Sequence, residues 1–117
     1  MVNLVEKYGG LSIVHSVVEV FYDRVLDEDS LADFFIDIDM KKLVEHQTKL
    51  ISSLMGGPGE VSDHRLREAH TGLGIKEADF TLIAEILENT LGDSGFSSED
   101  TKSLMSLVAA KKHLILA

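Results

Sequence analysis

Residues 40–55 read MKKLVEHQTKLISSLM, and the spacing inside this stretch decides the fold. Leu43, His46, Gln47, Leu50, Ile51 and Leu54 fall at i, i+3, i+4 and i+7 intervals, an arc of roughly 140° at about 100° per residue, which is one buried helical face. Asp39 precedes the run as its N-cap, with a carboxylate able to accept from the first free N–H groups. Two positions on this face, His46 and Gln47, are polar, and a face that buries polar groups must give them partners.

The same period extends in both directions. In residues 11–26, Val14, Val17, Val18, Phe21, Tyr22 and Val25 form a second apolar stripe with Tyr22 at its edge. Residues 77–91 place Phe80, Ile83, Ala84, Leu87 and Leu91 on one side and meet a helix-ending glycine at Gly92. Ser97 with Asp100 resembles a capping box, and Leu104, Leu107, Val108 and Leu114 follow at helical intervals, so a fourth long helix closes the chain. The glycines at 9–10, 56–59, 72, 74, 92 and 95 punctuate these runs. Alternating segments joined by an Asn-Gly or Asp-Gly turn are missing, so the class is all-α. The segment 56–75, GGPGEVSDHRLREAHTGLGI, has room for only a short helix around residues 63–71, near whose end His70 faces inward between Leu66 and Leu73.

With 117 residues the chain is expected to form one domain, spanning 1–117. Hydrophobic residues make up 44% and charged residues 26%, which argues for a globular core and against disorder or a membrane span. A net charge of −9 repels polyanions, so nucleic acid is not an expected partner. The absence of Cys removes disulfides, thiolate metal sites and thiol nucleophiles and fits a reducing compartment. The N-terminus MVNLVEKYGG lacks a basic patch followed by a long apolar run, so a cytoplasmic protein is expected.

Tyr22, His46, Gln47 and His70 are thus polar groups on faces that packing should bury. Each alone has an ordinary explanation: a Tyr hydroxyl reaching a carbonyl, an inward His in a hydrogen bond, a buried amide with a local partner, or a His46 turned to water. Together, at about 1–3 kcal/mol for each buried group left unpaired, they call for one another or for a common partner. A flat apolar cofactor with a polar or metallic centre is one such partner. Nucleophile-elbow, HExxH and phosphate-loop motifs are missing, and a zinc site from His46, His64 and His70 lacks the usual ligand spacing.

The stretches Lys7-Tyr8-Gly9-Gly10, VEVFYDRVLDED at 18–29, LADFFIDIDMKKLVEHQTKL at 31–50, LMGGP at 54–58 and LREAHTGLGI at 66–75 resemble the group I truncated haemoglobins almost end to end. The resemblance implies a two-over-two helical sandwich around a haem, with most of the proximal-ligand helix replaced by a loop. It makes His70 the proximal ligand of the haem iron and Phe35 the phenylalanine packed on the porphyrin, with Phe34 beside it. Tyr22 becomes the distal hydroxyl that hydrogen-bonds bound O2, and Gln47 a second distal donor. Leu43 takes a distal position that is polar in many relatives, and Leu50, Leu66, Leu73, Ile75 and Phe80 complete the haem contacts.

His46 matches a histidine that in some relatives becomes the sixth iron ligand; at this position it either swings in to iron or meets a propionate or solvent. Ala110, not His113, aligns with the histidine that links covalently to a haem vinyl group in some relatives, so a noncovalent haem b is expected. The resemblance implies O2, NO and CO as ligands. Three readings follow: a diatomic-ligand binder, a nitric oxide dioxygenase that requires a reductase as electron donor, and a hexacoordinate redox or sensing protein closed by His46. A fourth is a cofactor-free helical interaction module. A monomer is favoured.

Overall fold

A computed structural model describes residues 3–57 and 74–115, the last two in backbone only, and all its regular elements among these residues are helical. They are α1 (Leu4–Lys7), α2 (Leu11–Leu26), α3 (Asp29–Ala32) with a 3-10 turn at Asp33–Phe35, α4 (Met40–Leu54), α5 (Glu77–Asp93), α6 (Ser98–Ala110) and α7 (Lys112–Ile115). The short helix expected around residues 63–71 lies outside the described residues, as do Leu66, His70 and Leu73.

The α2 stripe holds residue for residue: Val14, Val17, Val18, Phe21, Tyr22 and Val25 are its buried positions. Gly9 and Gly10, at φ +117° and +99°, make the turn that starts this helix in backbone conformations that side chains rarely adopt. α2 packs on α4, α5 packs on α6, and the two pairs meet chiefly where α2 contacts α5. This gives two helix pairs around a core anchored by Leu31, Leu91 and Leu104, all 0% exposed. Burial of each such side chain contributes about 1.5–3 kcal/mol.

The caps follow the sequence with two corrections. Asp39 Oδ1 accepts from the N–H groups of Lys41 and Lys42 at 3.1 and 3.3 Å, and Ser97 Oγ accepts from Asp100 N–H at 3.1 Å. The reciprocal half of the box at Ser97 does not form, because the Asp100 carboxylate is taken by Tyr8 and Lys7 instead. α5 does not stop at Gly92 but continues to Asp93. The positive-φ residue after it is Gly95, and Ser94 N–H closes the last turn onto Thr90 and Leu91. Its buried face also shifts to Phe80, Ile86, Leu87, Thr90 and Leu91, since α5 is covered by α2 and by α6 together and half-buries Ile83 and Ala84. The closing helix breaks at Lys111 into α6 and α7.

Candidate functional site

Tyr22 is 7% exposed on the inward side of α2, and two aromatic rings bound it. The Phe21 ring meets it edge-on at 4.8 Å between centroids, and the Phe35 ring does so at 5.8 Å. Its hydroxyl has no hydrogen-bond partner among the described residues, and burial alone pushes its pKa well above the ordinary phenol value. The phenol therefore keeps its proton and, among the described residues, is a donor without an acceptor on a buried side chain.

Phe35 reaches Tyr22 because the 3-10 turn Asp33–Phe35 ends beside α2, and Phe34 and Phe35 both lie half-buried against the core. Asp39 then starts α4 and fixes the phase of its inward face. On that face Ile51 is buried, while Leu43, Gln47, Leu50 and Leu54 are only half-buried, and His46 at the edge is exposed. The α2 stripe is thus closed by other helices and the α4 stripe is not. The polar pair of the sequence separates, with Gln47 on the half-covered face and His46 toward solvent.

Toward the start of α5, Ile75 is half-buried and Phe80 is 7% exposed, yet Phe80 stands apart from the main core cluster. Lys112 lies over its ring at 5.8 Å and forms an ion pair with Glu77, so the first residue of α7 reaches the first turn of α5. Ala110 and His113 are both exposed. His64 and His70 lie outside the described residues, and with them the zinc alternative and the proximal-ligand assignment. Phe21 was legible in the sequence as core but not as a wall of this site; its adjacency to Tyr22 within one aromatic pair was the available signal.

The bacterial-like globin family model matches residues 3–117. The chain is 33% identical to the Group 1 truncated hemoglobin GlbN of Synechocystis over 117 residues, covering 97% of this chain and 94% of that protein. The chain belongs to the group 1 truncated haemoglobins. It is also 32% identical to the Group 1 truncated hemoglobin of Tetrahymena thermophila over 94 residues, 80% of this chain and 78% of that one. Among solved structures, the 2/2 hemoglobin of Synechococcus sp. PCC 7002, in the cyanomet state and with covalently attached haem, superposes with a TM-score of 0.89. The two are 29% identical, with 98% of each chain covered. The truncated hemoglobin of Tetrahymena pyriformis in its Fe(III) form gives 0.87 at 28% identity and 96% coverage of each.

The fold is accordingly the two-over-two globin sandwich, and a globin binds haem. The described residues fit that group: a half-covered apolar face on α4, the Phe34–Phe35 pair beside it, and a protonated, unpaired phenol at Tyr22. A flat apolar ring covers the first two, and a small polar ligand satisfies the third.

Proposed function

We propose that this truncated haemoglobin is a single globin domain that binds O2, NO and CO at a noncovalent haem b, with Tyr22 and Gln47 as hydrogen-bond donors to the ligand. Haem supplies an iron centre with affinity for small diatomic gases. His70 is the residue that would hold the iron from one side; Phe34, Phe35, Leu43, Leu50, Ile75 and Phe80 would cover the ring. Tyr22 contributes a proton held on its hydroxyl at a fixed position, because two neighbouring rings restrict the phenol plane. Gln47 contributes amide N–H groups from the half-buried face of α4. A hydrogen bond from the buried Tyr22 side chain to a ligand bearing partial negative charge would contribute about 1–3 kcal/mol, and one from the half-buried Gln47 less.

The single observation that carries this reading is the buried Tyr22 side chain, whose hydroxyl keeps its proton and has no partner among the described residues. Leu43 is apolar, so it adds shape and no hydrogen bond. The lack of Cys agrees with a cytoplasmic location, and the net charge of −9 with a monomer. No helix among the described residues is long and apolar enough to cross a membrane.

The exposure of His46 favours a ferrous state with no internal sixth ligand. The absorption spectrum of the ferrous protein without added gas tests this directly. Five-coordinate bands support the reading; low-spin six-coordinate bands that vanish in His46→Leu would replace it with a hexacoordinate redox or sensing role.

A further inference from the structure

Ile36 is 73% exposed and Ile38 44% exposed, on the turn that carries the 3-10 segment into α4. The turn is closed by Ile38 N–H donating to the Phe35 carbonyl at 3.2 Å. A single exposed aliphatic side chain is ordinary, but two flanking one residue on a tight turn form an apolar projection. Neither side chain belongs to the core cluster, against which the neighbouring Phe34 and Phe35 are packed.

The surroundings of this projection are acidic. From Asp27 to Asp39 the chain carries six carboxylates and no Lys or Arg. All six are exposed, and Glu28, Asp29, Asp33 and Asp37 make no ion pair among the described residues. The nearest bases along the chain are Arg24, which is paired with Asp93, and Lys41 and Lys42, too few to neutralise the rim. A second copy of this chain would bring the same negative charge to the contact, and an anionic lipid surface would be repelled. An apolar centre inside an acidic rim complements a partner with an apolar centre inside a basic rim.

The patch also adjoins the candidate pocket. Ile36 follows Phe35, whose ring meets Tyr22 at 5.8 Å. We propose that Ile36 and Ile38, ringed by Glu28, Asp29, Asp33 and Asp37, are the docking surface for a basic electron-carrier protein. This rests on the haem-binding reading above, which supplies a group able to exchange an electron. One electron leaves the partner's redox group and is gained by the globin, with no bond formed or broken.

Cytochrome c, a small basic redox protein, serves as the probe, and an acidic ferredoxin as the control. Titration of the 15N-labelled, haem-loaded protein with cytochrome c is expected to shift amides within residues 28–39. The dissociation constant should rise about tenfold from roughly 20 to roughly 200 mM salt. The double variant Asp33→Asn/Asp37→Asn should weaken binding and flatten the salt dependence, and Ile36→Ser should weaken binding while leaving the salt dependence intact. Shifts centred elsewhere, shifts that appear with rising concentration of the protein alone, or equal binding of the ferredoxin would each overturn the proposal. The absorbance spectrum of the same samples reports haem and CO binding separately. Absent docking with an intact spectrum overturns only this inference, and a chain that takes up no haem overturns both.

Discussion

The Tyr8 hydroxyl donates a 2.5 Å hydrogen bond to Asp100 Oδ2, joining residues 92 positions apart. Lys7 Nζ donates to the same oxygen at 2.7 Å, the Tyr8 ring stacks on Phe96 at 3.9 Å, and Ser97 N–H donates to the Tyr8 hydroxyl at 3.0 Å. The short α1 is thereby tied to the start of α6. The Lys7 hydrogen bond and then that of Tyr8 hold the Asp100 carboxyl below the ordinary carboxylate range. A carboxylate with a depressed folded-state pKa stabilises the fold above its unfolded value of about 4, and that contribution is lost as pH falls through the folded value. Asp100→Asn should therefore melt below the wild type at pH 7, with the gap closing as pH falls below about 4. A gap independent of pH would show that the charge plays no part.

At the other end of α1, a Cβ on Gly57 would lie 2.6 Å from Val5 Cγ2, 2.7 Å from Ser52 Oγ and 3.1 Å from the Ser52 carbonyl oxygen. Val5 is 3% exposed and Ser52 0%, so neither neighbour can swing aside. Gly57→Ala should cost about 1–3 kcal/mol in urea denaturation, by overpacking. An unchanged midpoint would mean that α1 lifts away without loss.

Thr101 Oγ1 is buried and has no hydrogen-bond partner among the described residues, on the first turns of α6. Its hydroxyl gives up water and gains nothing in return. Thr101→Val keeps the shape and removes the unpaired group, so it should be neutral or stabilise by about 1 kcal/mol. Chemical denaturation measures this, and destabilisation of similar size would show that the hydroxyl has an acceptor.

The α2 stripe could be read completely from its spacing because other helices of the same chain cover it, and apolar periodicity reports that kind of cover. The α4 face obeyed the same period yet is only half-buried, with His46 exposed, because spacing alone does not say what lies against a face. Asp39 and Ser97 were legible as caps because capping is local. The Tyr8–Asp100 link was not, since nothing within a few residues of Lys7-Tyr8-Gly9-Gly10 indicates a carboxylate 92 positions away. Gly92 was misread as a helix end because a glycine inside a helix is tolerated when neighbouring turns are well packed, as Thr90 and Leu91 are at 0% exposure. Tyr22 stood at the edge of its stripe as a core residue with a polar tip; the Phe21 and Phe35 rings around it were visible only in three dimensions.

The central claim is that the Tyr22 hydroxyl donates to the bound gas, and the rate of O2 dissociation in Tyr22→Phe tests it most directly. The substitution removes one oxygen atom and leaves the ring between Phe21 and Phe35. Loss of a desolvated hydrogen bond should speed O2 release by about tenfold or more, while CO, which carries less negative charge, should be affected far less. Because burial raises the Tyr22 pKa, the wild-type rate should stay flat up to the ordinary phenol value of about 10. An O2 dissociation rate unchanged in Tyr22→Phe would contradict the account.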